Sequence, residues 1–162
     1  EESGVKMKII LNECEQKIAK HLAISRNKNA RSKGKPNTKM GNQSDEETDL
    51  EGIAGELVVC KALNLYPDTE IDLVDLPKFD LMTAKGNTVD VKTTKYLSGR
   101  MLATMKKKVE DCNIYVLVVG TFPSYRIAGW CKAEELLKKE NIINLGHGEG
   151  YALSQEQLRP FK

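Results

Sequence analysis

A mixed α/β fold is what this sequence predicts, with one sheet of about five or six strands and helices on its faces. Three patterns carry that expectation. Val89, Val91 and Thr93 alternate with Asp90, Lys92 and Thr94, the two-residue period of a strand. Residues 113–121 form a longer apolar run, Tyr115 to Gly120 at its centre, of the kind a buried strand needs. Between residues 49 and 63 the apolar positions Ile53, Leu57, Cys60 and Leu63 recur near helical spacing.

The elements follow in order. Ile9, Ile10, Cys14, Ile18 and Leu22 lie close to a helical stripe, so residues 5–25 read as a helix that covers the domain or joins two protomers into a homodimer. Residues 26–39 are polar and basic and read as a linker or arm. Asp49 is the expected N-cap of the next helix, where Gly52, Ala54 and Gly55 are small enough to let it lie close to a sheet. A strand is expected over 70–74, and another over 79–83. Ala84, Lys85, Gly86 and Asn87 then make a hairpin turn into the strand of Asp90. Pro123 and Ser124 turn the long strand into one over 125–131, Ala133 opens a short amphipathic helix to 139, and the tail gives a short strand with a turn capped by Ser154. The organisation expected is residues 1–45 as N-terminal helix and basic polar linker, and 46–162 as one globular core.

Composition narrows the classes. At 162 residues the chain can bury a real core, and 40% hydrophobic with 30% charged residues is a globular composition. No apolar run is long enough to span a bilayer, and the start lacks a secretory signal's apolar centre, so a cytoplasmic location with no membrane partner is expected. Cys14, Cys60, Cys112 and Cys131 form no CxxC pair, which argues for free, buried thiols rather than a zinc or disulfide framework. Two histidines, His21 and His147, are too few for a histidine metal site.

The chemistry is concentrated in the hairpin. Strand alternation puts Asp90 and Lys92 on one face, and the turn can bring Asp80 beside Asp90. Two carboxylates that close repel each other unless a cation or shared proton offsets them. Mg²⁺ or Mn²⁺ suits the position, taking one or two carboxylates, a peptide carbonyl such as that of Val91, and waters. Such a metal polarises a phosphate and lowers the pKa of a bound water, while the ammonium of Lys92 stabilises charge growing in the transition state. Glu56 on the preceding helix supplies a third acid, with Glu51 as the competing choice. Glu15, Gln16 and Lys17 also form an acid-x-Lys triplet, but no acid-bearing strand precedes them.

The order helix Glu56, strand Asp80, hairpin, strand Asp90-Val91-Lys92 resembles the PD-(D/E)XK nuclease superfamily, from about Asp49 to the C-terminus. The later segments around Tyr115 and Trp130 resemble its small phage-encoded members. One departure stands out: Phe79 precedes Asp80 where the superfamily's namesake has proline, and Pro77 lies slightly upstream. The resemblance implies a restriction-endonuclease-like mixed central β-sheet flanked by helices. It further implies a Mg²⁺- or Mn²⁺-dependent DNA nuclease, in the host cytoplasm if phage-encoded. Metal would be held by Glu56, Asp80, Asp90 and the carbonyl of Val91, with Lys92 completing the catalytic set.

Net charge of +2 does not announce a nucleic-acid partner, so the clusters matter more. Arg31, Lys33 and Lys35 in the linker, and Arg100, Lys106, Lys107 and Lys108 after the Asp90 strand, are the expected DNA-binding positions. Tyr115, Tyr125 and Trp130 sit in strand-like runs and are expected in the core. Endonuclease action is the first expectation; a Holliday-junction resolvase, an exonuclease, or a non-catalytic nucleic-acid-binding or assembly protein are the alternatives.

Overall fold

The first described element is a strand. In the computed structural model, which describes residues 7–34, 45–72 and 78–161 (Asp45 by its backbone alone), β1 (Lys8–Ile10) is followed at once by α1 (Glu13–Ser32). This corrects the single helix expected over 5–25. Asn12 forces the break: its side chain accepts from the Glu15 amide at 2.9 Å, and Glu15 accepts from the Asn12 amide at 2.8 Å, a capping box that starts the helix. Helix α1 also runs through Arg26, Lys28 and Arg31, so the first part of the expected linker is helical. Lys35 and the rest of that basic segment, to Lys39, lie outside the described residues.

Helix α2 (Asp45–Leu63) starts one turn before the expected cap, and Asp49 inside it accepts from the Asn27 side chain of α1 at 2.5 Å. Its residues Ile53, Ala54, Leu57, Val58, Val59 and Cys60 are all buried. Burial on so many sides follows from its position between α1 and the sheet. Gly55 is where it comes closest: a Cβ there would stand 1.9 Å from Thr93 Oγ1 of the strand below. Gly52, by contrast, has nothing within 4 Å and plays no part in that approach.

Among the described residues, two sheets form. The larger has the order β1-β6-β5-β3-β2, where β2 is Leu81–Met82, β3 is Thr88–Thr94, β5 is Ile114–Thr121 and β6 is Ser124–Lys132. Strands β3 and β5 are parallel, and the other pairs are antiparallel. The smaller, antiparallel throughout, has the order β4-β8-β7, from β4 (Met101–Thr104), β7 (Ile142–Asn144) and β8 (Glu149–Leu153). The architecture is thus mixed α/β, a mixed sheet flanked by helices.

Strand alternation divides the core in two. Val89, Val91, Val116 and Val118 face α1 and α2, whereas Tyr115, Leu117 and Val119 face the small sheet and α3 (Ala133–Leu136). Each buried Leu or Val stabilises by about 1.5–3 kcal/mol, so two such layers can hold charged groups in place at the sheet's edge.

Several expectations shorten or shift. The strand expected over 79–83 is the two-residue β2, and the hairpin follows as read, with Gly86 at φ +85° and Thr83 accepting from its amide at 2.9 Å. Glu70, Ile71 and Asp72 form no strand; residues 73–77, including Pro77, lie outside the described set. The expected helix over 133–139 is α3 plus a 3₁₀ turn, Lys139–Asn141. Tyr115 and Tyr125 are fully buried and Trp130 partly so. Cys60, Cys112 and Cys131 are buried free thiols, while Cys14 is exposed.

Candidate active site

Strand β2 pairs with β3 only as far as Val89, which leaves the next outward amide of β3 without a strand partner on that side. Asp80 fills the gap. Its own amide donates to Val89 O at 2.8 Å, and its Oδ2 accepts from the Val91 amide at 2.7 Å, so the carboxylate continues the ladder where the strand stops. Asp80 is therefore fixed in line with the sheet edge.

Asp90 leaves the strand on the face of Tyr115, its register partner on β5. It is 3% exposed, and both of its oxygens are engaged. Lys92 Nζ lies 2.9 Å from Oδ1, and Lys107 Nζ 2.8 Å from Oδ2. Two charge-assisted contacts are what a carboxylate so buried requires. Lys92 also stands 5.9 Å from the centre of the Tyr115 ring, a cation–π contact that fixes its direction.

Glu56 arrives from the other side. It is carried by α2, which packs on the Val91 and Thr93 face of β3, so Glu56 and Asp90 approach the edge at Asp80 from opposite faces of the sheet. Arg26 of α1 holds it loosely, with Nη1 3.9 Å from Glu56 Oε2. The same guanidinium donates to Glu70 O at 2.8 Å and Asp68 O at 3.0 Å, tying α1 to the segment after α2.

The crowding shows in the acids' protonation. Burial, then the charge of Asp80, push the Glu56 carboxyl up to about 8, against the pull of Arg26; Asp68 and Asp90 add to the rise. Burial and the charge of Asp90 raise Asp80 to about 6, although the Val91 amide, Lys92 and Lys107 all pull it down. Lys107 loses from its own burial, the largest single effect, but the hydrogen bond to Asp90 together with the charges of Asp90, Asp80 and Cys112 outweighs it and holds the ammonium above the ordinary lysine value. Near neutral pH the cluster therefore holds a proton that a second cation could replace.

Glu56, Asp80, Asp90 and Lys92 are thus brought together, with the Val91 backbone bonded to Asp80 between them. Glu51 is not part of the cluster: it accepts from the Tyr125 hydroxyl at 2.5 Å and the Phe122 amide at 3.1 Å. Of the basic positions, Lys107 reaches into the site to Asp90, whereas Lys106, Lys108 and Arg100 are exposed. Lys33 lies just past the end of α1 and pairs with Asp72, and Arg31 sits in the helix's last turn. Sequence patterning singled out Lys107 but missed its contact with Asp90, which depends on how the chain beyond β4 folds back. Arg26 was likewise hidden by its polar neighbours, which read as linker.

Among the described residues, no three of His, Cys, Asp and Glu stand together as a ready-made metal set. The oxygen donors here are carboxylates already bonded to lysines and an amide. Their chemistry suits a hard divalent cation that keeps most of its waters, and Asp90 would exchange a lysine for it. Comparison with protein-family models, with curated proteins and with solved structures finds no match.

Proposed function

We propose that the chain is a Mg²⁺- or Mn²⁺-dependent DNA nuclease, an endonuclease on a restriction-endonuclease-like sheet, acting in the cytoplasm. The observation that carries this reading is the placement of Glu56, Asp80 and Asp90 within electrostatic reach of one another beside Lys92, where burial and mutual charge raise the Glu56 and Asp80 carboxyls above their ordinary range. When bound, a divalent cation would neutralise phosphate charge and acidify water. Asp80, Asp90 and Glu56 are the residues that would hold it.

The chain's own groups have separable tasks in this reading. Lys92 offers an ammonium to the phosphoryl oxygens as their charge grows. Asp90 holds Lys92 in position through their 2.9 Å contact. Glu56, protonated near neutrality and ionised above it, can hold or release a proton at its carboxyl.

A specific observation favours a second reading, a non-catalytic DNA-binding protein: both oxygens of Asp90 are already neutralised by Lys92 and Lys107. Supercoiled plasmid separates the two. The nuclease reading expects nicked circles with Mg²⁺ or Mn²⁺, none with EDTA, and none from a folded Asp90→Ala protein. DNA binding without nicking, unchanged in Asp90→Ala, would select the second.

A further inference from the structure

Past Lys92, the end of β3 opens into a cavity of about 440 Å³ walled by Lys92, Thr94, Tyr96, Ser98 and Arg100, with Leu117 on its apolar side. That volume lies within the ~300–1,000 Å³ of pockets that hold small organic groups. One wall is the segment 95–100, and it is held firmly. Gln155 Nε2 donates to Leu97 O at 2.8 Å and Gly99 O at 2.9 Å, and Arg126 Nη2 donates to Leu97 O at 2.8 Å. The Gly99 amide closes the turn on Tyr96 O at 2.9 Å, and a Cβ on Gly99 would come within 2.6 Å of the Thr94 side chain.

A loop tied down at five points nonetheless leaves Tyr96 61% and Leu97 79% exposed. Packing does not account for an exposed aromatic on a rigid wall. Lys95 Nζ stands 5.6 Å from the centre of the Tyr96 ring, so cations border the ring as well as the cavity. An aromatic face, an apolar side and positive charge next to a group suited to phosphate together describe a place for a nucleotide.

We propose that this cleft takes one unpaired nucleotide of the DNA strand next to the phosphate at Lys92, its base stacked on Tyr96 and its phosphate met by Arg100. The proposal rests on the nuclease reading for which phosphate that is, and it names the substrate class: DNA with unpaired nucleotides at the cut, in preference to continuous duplex. A base inside a duplex has both faces stacked and is out of reach of a wall fixed to the protein.

The test is binding in EDTA, where nothing is cut, of a fluorescein-labelled single strand and of the same sequence as a duplex, read by anisotropy. Tyr96→Ala should weaken single-strand affinity about 5- to 100-fold and change duplex affinity less than about twofold. Tyr96→Trp should restore the single-strand affinity. Because Tyr96 is exposed, equal melting temperatures are expected for all three proteins. Single-strand affinity unchanged in Tyr96→Ala, or lost equally with duplex, overturns the proposal. Metal-dependent nicking that persists in that case leaves the nuclease reading standing, and Tyr96-dependent binding without nicking rejects the nuclease reading alone.

Discussion

Replacing Glu56 by Gln should make the protein more stable, by a margin that grows as pH rises from about 4.5 to about 8. In the folded chain this carboxyl is raised to about 8, against 4.5 when unfolded. Below 4.5 it is protonated in both states and contributes nothing. Between 4.5 and 8 the native state keeps a proton that the unfolded state has lost, so wild-type stability falls as pH rises, and above 8 the penalty is complete. The gap between the two values corresponds to roughly 5 kcal/mol. The side chain is 24% exposed, and with water screening part of the charge about 2–4 kcal/mol is expected. Gln removes the ionisation and keeps the shape. Urea unfolding in EDTA should show Glu56→Gln within about 1 kcal/mol of wild type at pH 5 and more stable by about 2–4 kcal/mol at pH 9. A gain of equal size at both pH values, or a loss at pH 9, would refute the picture of a crowded, buried acid.

Other perturbations separate packing from chemistry. Gly55→Ala forces a Cβ to 1.9 Å from Thr93 Oγ1, and should cost about 1–3 kcal/mol and slow cleavage as Glu56 is displaced, while Gly52→Ala, with open space around it, should stabilise by up to about 1 kcal/mol in thermal melts. Glu51→Gln weakens the bonds to Tyr125 and Phe122, and should cost about 1–3 kcal/mol in urea while leaving the cleavage rate of the folded protein within about threefold. Lys107→Met removes a cation 2.8 Å from Asp90, and should tighten Mn²⁺ binding at least about fivefold in an electron paramagnetic resonance titration, whereas weaker binding would show that Lys107 organises the metal ligands instead. Mn²⁺ binding at pH 7 should release protons, read calorimetrically in buffers of different ionisation enthalpy, and Glu56→Gln should reduce that release.

The alternation of Val89 to Thr94 and the Gly86 turn made β3 and its hairpin legible, because a strand with one charged and one apolar stripe has few other ways to fold. Asp90 and Lys92 came together for the same local reason. Glu56 and Asp80 required more: the close approach at Gly55, and a β2 so short that Asp80 could take over the bond to Val91. Those depend on tertiary packing that periodicity only suggests. The start of the chain misled because Ile9 and Ile10 satisfy a helical stripe as readily as a strand, and only the capping box at Asn12 decides between them. The small sheet was hidden for a related reason. β4 and β7 are four and three residues long, too short for any period to stand out, and β4 finds its partner, β8, only far along the chain. Tyr96 could have been noticed as an aromatic in a Ser-Gly-Arg loop directly after the charged strand.

The most direct measurement is the first-order rate at which supercoiled plasmid is nicked in Mg²⁺ by wild type and by Lys92→Ala, with unfolding curves confirming that both are folded. Loss of Lys92 leaves every proposed metal-binding oxygen in place. The account predicts metal-dependent nicking by wild type and a fall of at least about 10²-fold in Lys92→Ala, with Mn²⁺ affinity retained. Equal rates in the two proteins, or no metal-dependent nicking by wild type, would contradict it.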